Sequence, residues 1–84
     1  MSVDPELRLR RHTVDEAWPK LDNYLNAAFM AGLPFVRIVH GKGTGVIRQM
    51  VHDVLKGHPL VESFRLGNYG EGEAGVTIVE LANH

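Results

Sequence analysis

The chain has no cysteine, no long apolar run and almost no net charge. Without cysteine it forms neither disulfides nor thiolate metal sites, and a reducing compartment is the natural expectation. No apolar stretch approaches the roughly 20 residues that a membrane span needs, and the first residues lack the apolar core of a signal peptide. The sequence therefore predicts a soluble, cytoplasmic protein with no membrane partner.

The net charge of −1 is no argument for a nucleic-acid partner, so the distribution of charge matters more. Basic residues gather at the first predicted strand and around a glycine-rich turn. They are Arg8, Arg10, Arg11, Arg37, Lys42 and Arg48. The acidic residues fall mostly elsewhere. A basic face on a neutral domain and ordinary solvated charge on exposed positions both fit this pattern.

Eighty-four residues suffice for one domain. We expect a flexible N-terminus over residues 1–5 and a single domain over residues 6–82. Alternation of leucine and arginine predicts a strand over residues 6–11, with Arg8 and Arg10 on the face opposite the leucines.

Two helices are predicted after this strand. Thr13 and Glu16 have the spacing of a capping box, so the first helix begins beside them and ends at Gly32. The second helix is predicted from about Thr44, its expected N-cap, to Lys56. This assignment places His52 on the polar side of the second helix.

Three further segments alternate like strands, at residues 35–39, 60–66 and 75–81, and a glycine-rich loop spans residues 67–75. The order is β-α-β-α-β-β. Two crossovers on one side predict an α+β two-layer sandwich, in which a mixed four-stranded sheet carries both helices on one face. The other face is expected to be open, with Arg8 and Arg10 on it.

The turn at residues 40–45 combines chemistry that suits a phosphate. Its glycines let the backbone adopt positive φ and approach a ligand, and the helix that follows presents free N–H groups. His40 adds a candidate general acid or base, Lys42 a cation and Thr44 a hydroxyl. The alternative is that His40 only ties down the turn by hydrogen bonds to the backbone and that Lys42 is solvated.

Histidine spacing matches no tetrahedral metal pattern, so no metal site is predicted from the residues. Tyr69, in the glycine-rich loop, is a candidate for stacking on an unpaired base or for covering the core. The turn also lacks the spacing of a nucleotide-binding P-loop, so the domain is not expected to bind ATP.

The segment from His40 to Gly45, set between a strand and a helix, resembles the Smr (small MutS-related) domain family. The likeness extends through His58-Pro59, Phe64-Arg65 and the glycine loop to the last strand, and covers roughly residues 6–81. The turn is most similar to that of the C-terminal Smr domain of bacterial MutS-like recombination suppressors. The resemblance implies a fold like the C-terminal domain of translation initiation factor three and a parent chain with ATPase and clamp domains.

The resemblance also implies binding to DNA or RNA and, in several members, endonuclease activity that Mg²⁺ or Mn²⁺ can assist. One motif is the turn itself. The other, Leu-Asp-Leu-(Arg/His)-Gly, aligns with residues 7–11, where Arg8 replaces the acid and Arg11 the glycine. Since arginine cannot hold a metal or orient a water as a carboxylate does, Arg8 favours a phosphate grip over cleavage.

Three functions follow as hypotheses. The first is an endonuclease and DNA-binding module that acts on branched DNA and suppresses recombination, with His40 and Arg10 as catalytic candidates. The second is a non-catalytic module for structured DNA or ribosomal RNA, and the third is a protein-interaction domain that uses the open sheet face. The predicted phosphate contacts are Arg8, Arg10, Arg11, Gly41, Lys42, Gly43, Thr44, Gly45 and Arg48.

Overall fold

The computed structural model of the protein describes residues 3–68, 70 and 72–82. The elements, in chain order, are β1 (Glu6–Arg8), α1 (Val14–Met30), β2 (Phe35–Val39), α2 (Val46–Gly57), β3 (Val61–Leu66), a short 3-10 helix (Glu73–Gly75) and β4 (Val76–Leu81). The predicted order and the α+β class are confirmed. Among the residues described, no helix is both long enough and apolar enough to cross a membrane.

The four strands form one mixed sheet in the order β1-β2-β4-β3. β1 runs parallel to β2, while β4 is antiparallel to both β2 and β3. The last strand therefore lies between β2 and β3, and the crossover through α2 passes over it. This placement brings the start of β4 beside the end of β2.

The core lies between the sheet and the two helices. Helix α1 contributes residues at steps of three and four, and the sheet contributes the inward side of β2 and β4. The fully buried side chains include Leu9, Ala17, Leu21, Leu25, Ala28, Val36, Ile38, Val51 and Val79. On the opposite face of the sheet Phe35 and Glu80 are exposed, so the predicted open face is confirmed.

Local signals set the ends of α1 as predicted. Thr13 accepts a hydrogen bond from the Glu16 N–H at 3.2 Å, and the Glu16 carboxylate accepts one from the Thr13 N–H at 2.8 Å. At the other end Gly32 has φ +78°, and its N–H donates to the Phe29 carbonyl. A reciprocal cap and a left-handed glycine together delimit a helix of 17 residues.

The first strand is shorter than predicted. Regular pairing ends at Arg8, although the Leu9 N–H still donates to the Val39 carbonyl at 2.7 Å. The chain then turns, because Arg11 adopts φ +69°. The backbone just before the strand is also tied to the fold, since the Pro5 carbonyl accepts from the Arg37 N–H at 2.8 Å.

The third strand departs from simple alternation. A register shift between Val61 and Ser63 inserts an extra residue opposite β4. Val61 and Phe64 therefore both pack on the core, although their separation of three would put them on opposite faces of a regular strand. The simple alternation predicted over residues 60–66 is wrong for this reason.

The second helix begins one residue later than predicted when the two N-caps are compared. Its N-cap is Gly45, in the left-handed conformation with φ +85°, and no side chain caps the helix there. The expected N-cap role of Thr44 is therefore wrong.

Replacement of Leu21 by alanine is expected to lower the free energy of unfolding by roughly 3 kcal/mol, because the side chain is fully buried and a cavity would remain. Urea unfolding followed by circular dichroism measures this change. Met30→Ala, at the exposed end of the same helix, is the matched control and should shift stability by less than about 0.5 kcal/mol. Equal losses in the two variants would contradict the placement of the core.

Candidate nucleic-acid interface

The glycine-rich turn between β2 and α2 is anchored by the residue that precedes β4. The Gly75 carbonyl accepts hydrogen bonds from the N–H groups of His40, at 3.1 Å, and Gly41, at 2.9 Å. Gly41 has φ +78°, and a Cβ on Gly75 would lie 3.6 Å from the Gly41 backbone. The turn and β4 therefore approach closely, and the Gly41 N–H is already used within the protein.

The start of α2 presents the N–H groups that the turn does not use. The first N–H groups of a helix have no acceptor inside it and carry a partial positive charge. Here the N-cap is Gly45, which has no side chain to accept from them, and the first turn contains no acidic residue. This helix start is therefore open to an external anion.

Two arginines flank this helix start. Arg11 and Arg48 line a small depression together with His40, Gly41 and residues 43–47. Within the described residues neither guanidinium has an acidic partner. Arg48 folds back over the N-cap, since a Cβ on Gly45 would lie 2.9 Å from its Nη2. We call this depression, with its two arginines and the helix start, the turn site.

Arg11 occupies its place at a conformational cost. Its φ of +69° lies in the left-handed region, which costs an L-residue roughly 1–2 kcal/mol. The motif that aligns with residues 7–11 has glycine here, a residue that adopts this conformation without strain. The structure thus gives a reason for the glycine, while this chain places a cation at the same position.

Two more cations lie on the other side of the turn. Arg10 packs against it, with its Cγ 3.4 Å from where a Cβ of Gly41 would be. Lys42 forms an exposed ion pair with Glu73, with 3.4 Å between Nζ and Oε2. Exposed pairs of this kind contribute little energy, so Lys42 can exchange Glu73 for another anion. Arg10, one of the predicted phosphate contacts, therefore lies beside the turn.

Arg8 stands apart from this group. Its Nε lies 2.9 Å from the Glu6 carboxylate, two residues back on the same face of β1. It lines neither the turn site nor a second depression, which Arg10 and Lys42 line on the other side of the turn. Of the predicted phosphate contacts, the structure brings together Arg10, Arg11, Lys42, Arg48 and the turn, and it leaves Arg8 outside.

His40 is buried and belongs to a hydrogen-bond network with residues that are distant from it in sequence. Its Nε2 lies 2.8 Å from the Thr77 hydroxyl, and the Nε2 of His52 lies 2.9 Å from the same hydroxyl. The other nitrogen of His40, Nδ1, lies 3.0 Å from the Gly41 carbonyl. His52 is part-buried against Phe64, so its predicted place on the polar side of α2 is wrong.

The partners of His40 fix the direction of each hydrogen bond in the neutral network. A carbonyl only accepts, so Nδ1 of His40 carries the proton and its Nε2 accepts from the Thr77 hydroxyl. That hydroxyl has one hydrogen, so His52 must donate its own Nε2–H to the Thr77 oxygen. Both nitrogens of His40 are then engaged, and the ring holds the Gly41 carbonyl in place.

The surroundings keep both imidazoles neutral. Burial lowers the pKa of His40 below its ordinary value, and the Arg48 charge lowers it further, while the Gly41 carbonyl acts in the opposite direction. Burial also lowers the pKa of His52, with His40, Arg48 and Lys56 adding to the effect and Asp53 opposing it. The positive charge of the turn site therefore comes from its arginines.

Thr77 belongs to the site although no sequence pattern predicted it there. The alternation of β4 places Thr77, Val79 and Leu81 on its inner face, and all three are buried. A polar residue at a core-facing position indicates a buried hydrogen-bond partner. Nothing local identifies those partners as His40 and His52.

No group of three or more metal-binding side chains occurs among the residues for which positions are described. The possible stacking residue Tyr69 lies outside them.

Because of this network, we expect the free energy of unfolding to fall at acid pH. An unfolded histidine takes a proton near pH 6.5, whereas the folded imidazoles take theirs at lower pH, so the unfolded state binds more protons in between. We expect the free energy of unfolding to be constant above about pH 7 and to fall as the pH is lowered toward about 5.

Urea unfolding over this pH range measures the slope. His52→Phe removes one of the two depressed groups and should make the fall shallower, while Thr77 can still donate to His40. Met30→Ala, which removes an exposed side chain without a titratable group, is the control and should leave the slope unchanged. An unchanged slope in the His52 variant would contradict the assignment.

Comparisons with known proteins agree with the resemblance. The family model of the Smr domain matches residues 7–82. The protein named Endonuclease MutS2 of Caldicellulosiruptor saccharolyticus is 58% identical over 80 residues, which are 95% of this chain and 10% of that protein. The Clostridium beijerinckii protein of the same name is 55% identical, with the same coverage. The chain spans about a tenth of the length of these curated relatives.

Solved structures agree as well. The crystal structure of the Smr domain of Thermus thermophilus MutS2 has a TM-score of 0.89 at 44% identity, covering 92% of this chain and 96% of that chain. The crystal structure of YdaL, a stand-alone small MutS-related protein from Escherichia coli, has a TM-score of 0.89 at 26% identity. The match covers 94% of this chain and 65% of that chain. The fold, the turn and the family match lead to one conclusion: this chain belongs to the Smr domain family.

Proposed function

We propose that the domain binds nucleic acid by holding a backbone phosphate at the turn site. The observation that carries this proposal is the pair of arginines, Arg11 and Arg48, set beside an uncapped helix start without an acidic partner among the described residues. A guanidinium offers two parallel N–H donors to a phosphate, and the helix N–H groups add their dipole. Arg10 and Lys42 extend the positive surface to the next phosphate.

The proposed partner is DNA, branched or double-stranded, and the proposed setting is a cytoplasmic parent chain with ATPase and clamp domains. Support comes from the relatives, which are about ten times longer than this chain and carry the name Endonuclease MutS2. Because phosphate contacts carry no sequence information, we expect affinity without base-pair specificity from this site. Structured RNA has the same phosphates and serves as the competing ligand.

Binding through four cations should weaken steeply with salt, with a slope of log K against log salt between about −3 and −4. Arg48→Gln should reduce the magnitude of this slope by about 1, because one phosphate contact is lost. Fluorescence anisotropy of a labelled duplex at several salt concentrations measures both values. Lys56→Gln, at the far end of α2, is the matched control and should bind like the parent chain.

Arg11→Gly separates binding from stability in the same assay. Glycine adopts the left-handed conformation without strain, but it loses more chain entropy on folding. The net effect should raise the free energy of unfolding by roughly 0.5–1 kcal/mol. The affinity for DNA should nevertheless fall, since a cation is lost. If this variant binds as tightly as the parent, Arg11 does not contact phosphate.

Endonuclease activity is a second candidate, supported by the names of the relatives and by the place of His40 in the turn. For His40 to exchange a proton with substrate, its ring must release either the Gly41 carbonyl or the Thr77 hydroxyl. Arg10, packed on Gly41, would then stabilise the charge that develops on the phosphate. Arg8, in place of the motif acid, weakens this candidate relative to binding.

The second candidate predicts that the domain nicks supercoiled plasmid, either in EDTA or only with Mg²⁺ or Mn²⁺. Under it His40→Ala loses nicking and His12→Ala retains it, as measured by the conversion of supercoiled to open-circular DNA. Plasmid that is bound but stays intact under all three conditions would rule out endonuclease activity for this domain and leave the binding proposal standing.

A further inference from the structure

An apolar groove runs between the two helices beside the turn site. Val14 and Trp18 of α1 form one side, and Val46, Met50 and Val54 of α2 form the other. Trp18 is 51% exposed and Val46 is 56% exposed, so apolar surface here remains in contact with water. Since exposed apolar patches of this kind mark interaction sites, we expect the groove to bind a ligand.

The groove and the turn site share a wall. Thr44, Gly45 and Val46 line the groove on one side and the turn site on the other. A ligand with an anionic part and an apolar part can therefore occupy both at once. A nucleotide is such a ligand, because its phosphate and its flat base are joined through one sugar.

The charges on the two sides of the shared wall orient that ligand. Arg11 and Arg48 line the turn site, where they attract phosphate. Asp53 lies farther along the groove, paired with Gln49 at 2.9 Å between Nε2 and Oδ1. A phosphate is repelled by Asp53, whereas a neutral base is not, and the Gln49 carbonyl can accept a hydrogen bond from a base edge.

Trp18 is suited to stacking. Its indole is half exposed, and its N–H has no hydrogen-bond partner among the described residues. Aromatic side chains beside cationic surfaces bind unpaired bases by stacking, largely without regard to base identity. Bases that remain paired in a duplex are stacked on one another and cannot enter such a groove.

We propose that the groove receives one unpaired nucleobase, which stacks on Trp18 while its phosphate sits at the turn site. This inference rests on the proposed function and deepens it, because it makes nucleic acid with an unpaired nucleotide the preferred substrate over continuous duplex. An amphipathic helix of a protein partner would also match an apolar groove. The adjoining cations favour the nucleotide, because its phosphate supplies the counter-charge that Arg11 and Arg48 lack among the described residues.

Trp18 is the only tryptophan of the chain, so its fluorescence reports on the groove directly. Three labelled ligands are compared: a continuous duplex, the same duplex with a one-nucleotide flap, and the flap duplex with an abasic site in place of the flap base. Anisotropy of the label measures binding, and Trp18 emission measures stacking. We expect all three to bind, but only the flap that carries a base to quench Trp18.

Trp18→Leu should lower the affinity for the flap duplex by about tenfold and leave the affinities for the continuous and abasic ligands unchanged. Trp18→Phe, which keeps an aromatic ring, should lie within about threefold of the parent chain. Phe35→Leu is the matched control, because Phe35 is similarly exposed, at 54%, but lies on the opposite face of the sheet. Circular dichroism verifies that each variant is folded.

The outcomes separate this inference from the proposed function. If the ligands bind but no flap quenches Trp18, and Trp18→Leu keeps the affinity for the flap duplex, the base site is wrong and phosphate binding stands. If an amphipathic helical peptide changes Trp18 emission and no nucleic acid does so, the groove binds a protein and the inference is overturned. If none of the ligands binds at low salt, the proposed function fails, and this inference fails with it.

Discussion

A single carbonyl group, that of Gly75, sets the shape of the turn on which the rest of the site depends. It accepts from two consecutive N–H groups, those of His40 and Gly41, and so holds the end of β2 against the start of β4. Two residues later on the same strand, the Thr77 hydroxyl joins His40 to His52 of α2. The last strand therefore supports the turn through its backbone and through one side chain.

This support determines where positive charge can act. The chain as a whole is nearly neutral, and burial favours the uncharged form of its two network histidines. Attraction for an anion therefore comes from a few arginines, a lysine and the N–H groups at the start of α2. Arg11 lies at the site with its backbone in a left-handed conformation, and Arg48 lies in the first turn of α2, after the N-cap Gly45. The cations come from segments far apart in the sequence, and the turn is where they meet.

Much of the fold could be predicted because its signals are local. The capping box of Thr13 and Glu16 and the left-handed Gly32 mark the ends of α1 from sequence alone. Period-2 patterns located the strands, but they did not predict the register or the order of the strands, because these depend on which strands pair. The bulge in β3 lets Val61 and Phe64 share a face, and β4 inserts between β2 and β3, which no local pattern encodes.

For the site, the sequence by itself determined the composition of the turn, the cations near it and the family to which the chain belongs. Only the tertiary structure decided their roles. Arg8 pairs with Glu6 and leaves the group, Gly45 rather than Thr44 caps α2, and His52 turns inward to Thr77. The physical reason is that hydrogen bonds and burial join residues through space, and His40 and Thr77 are 37 positions apart along the chain.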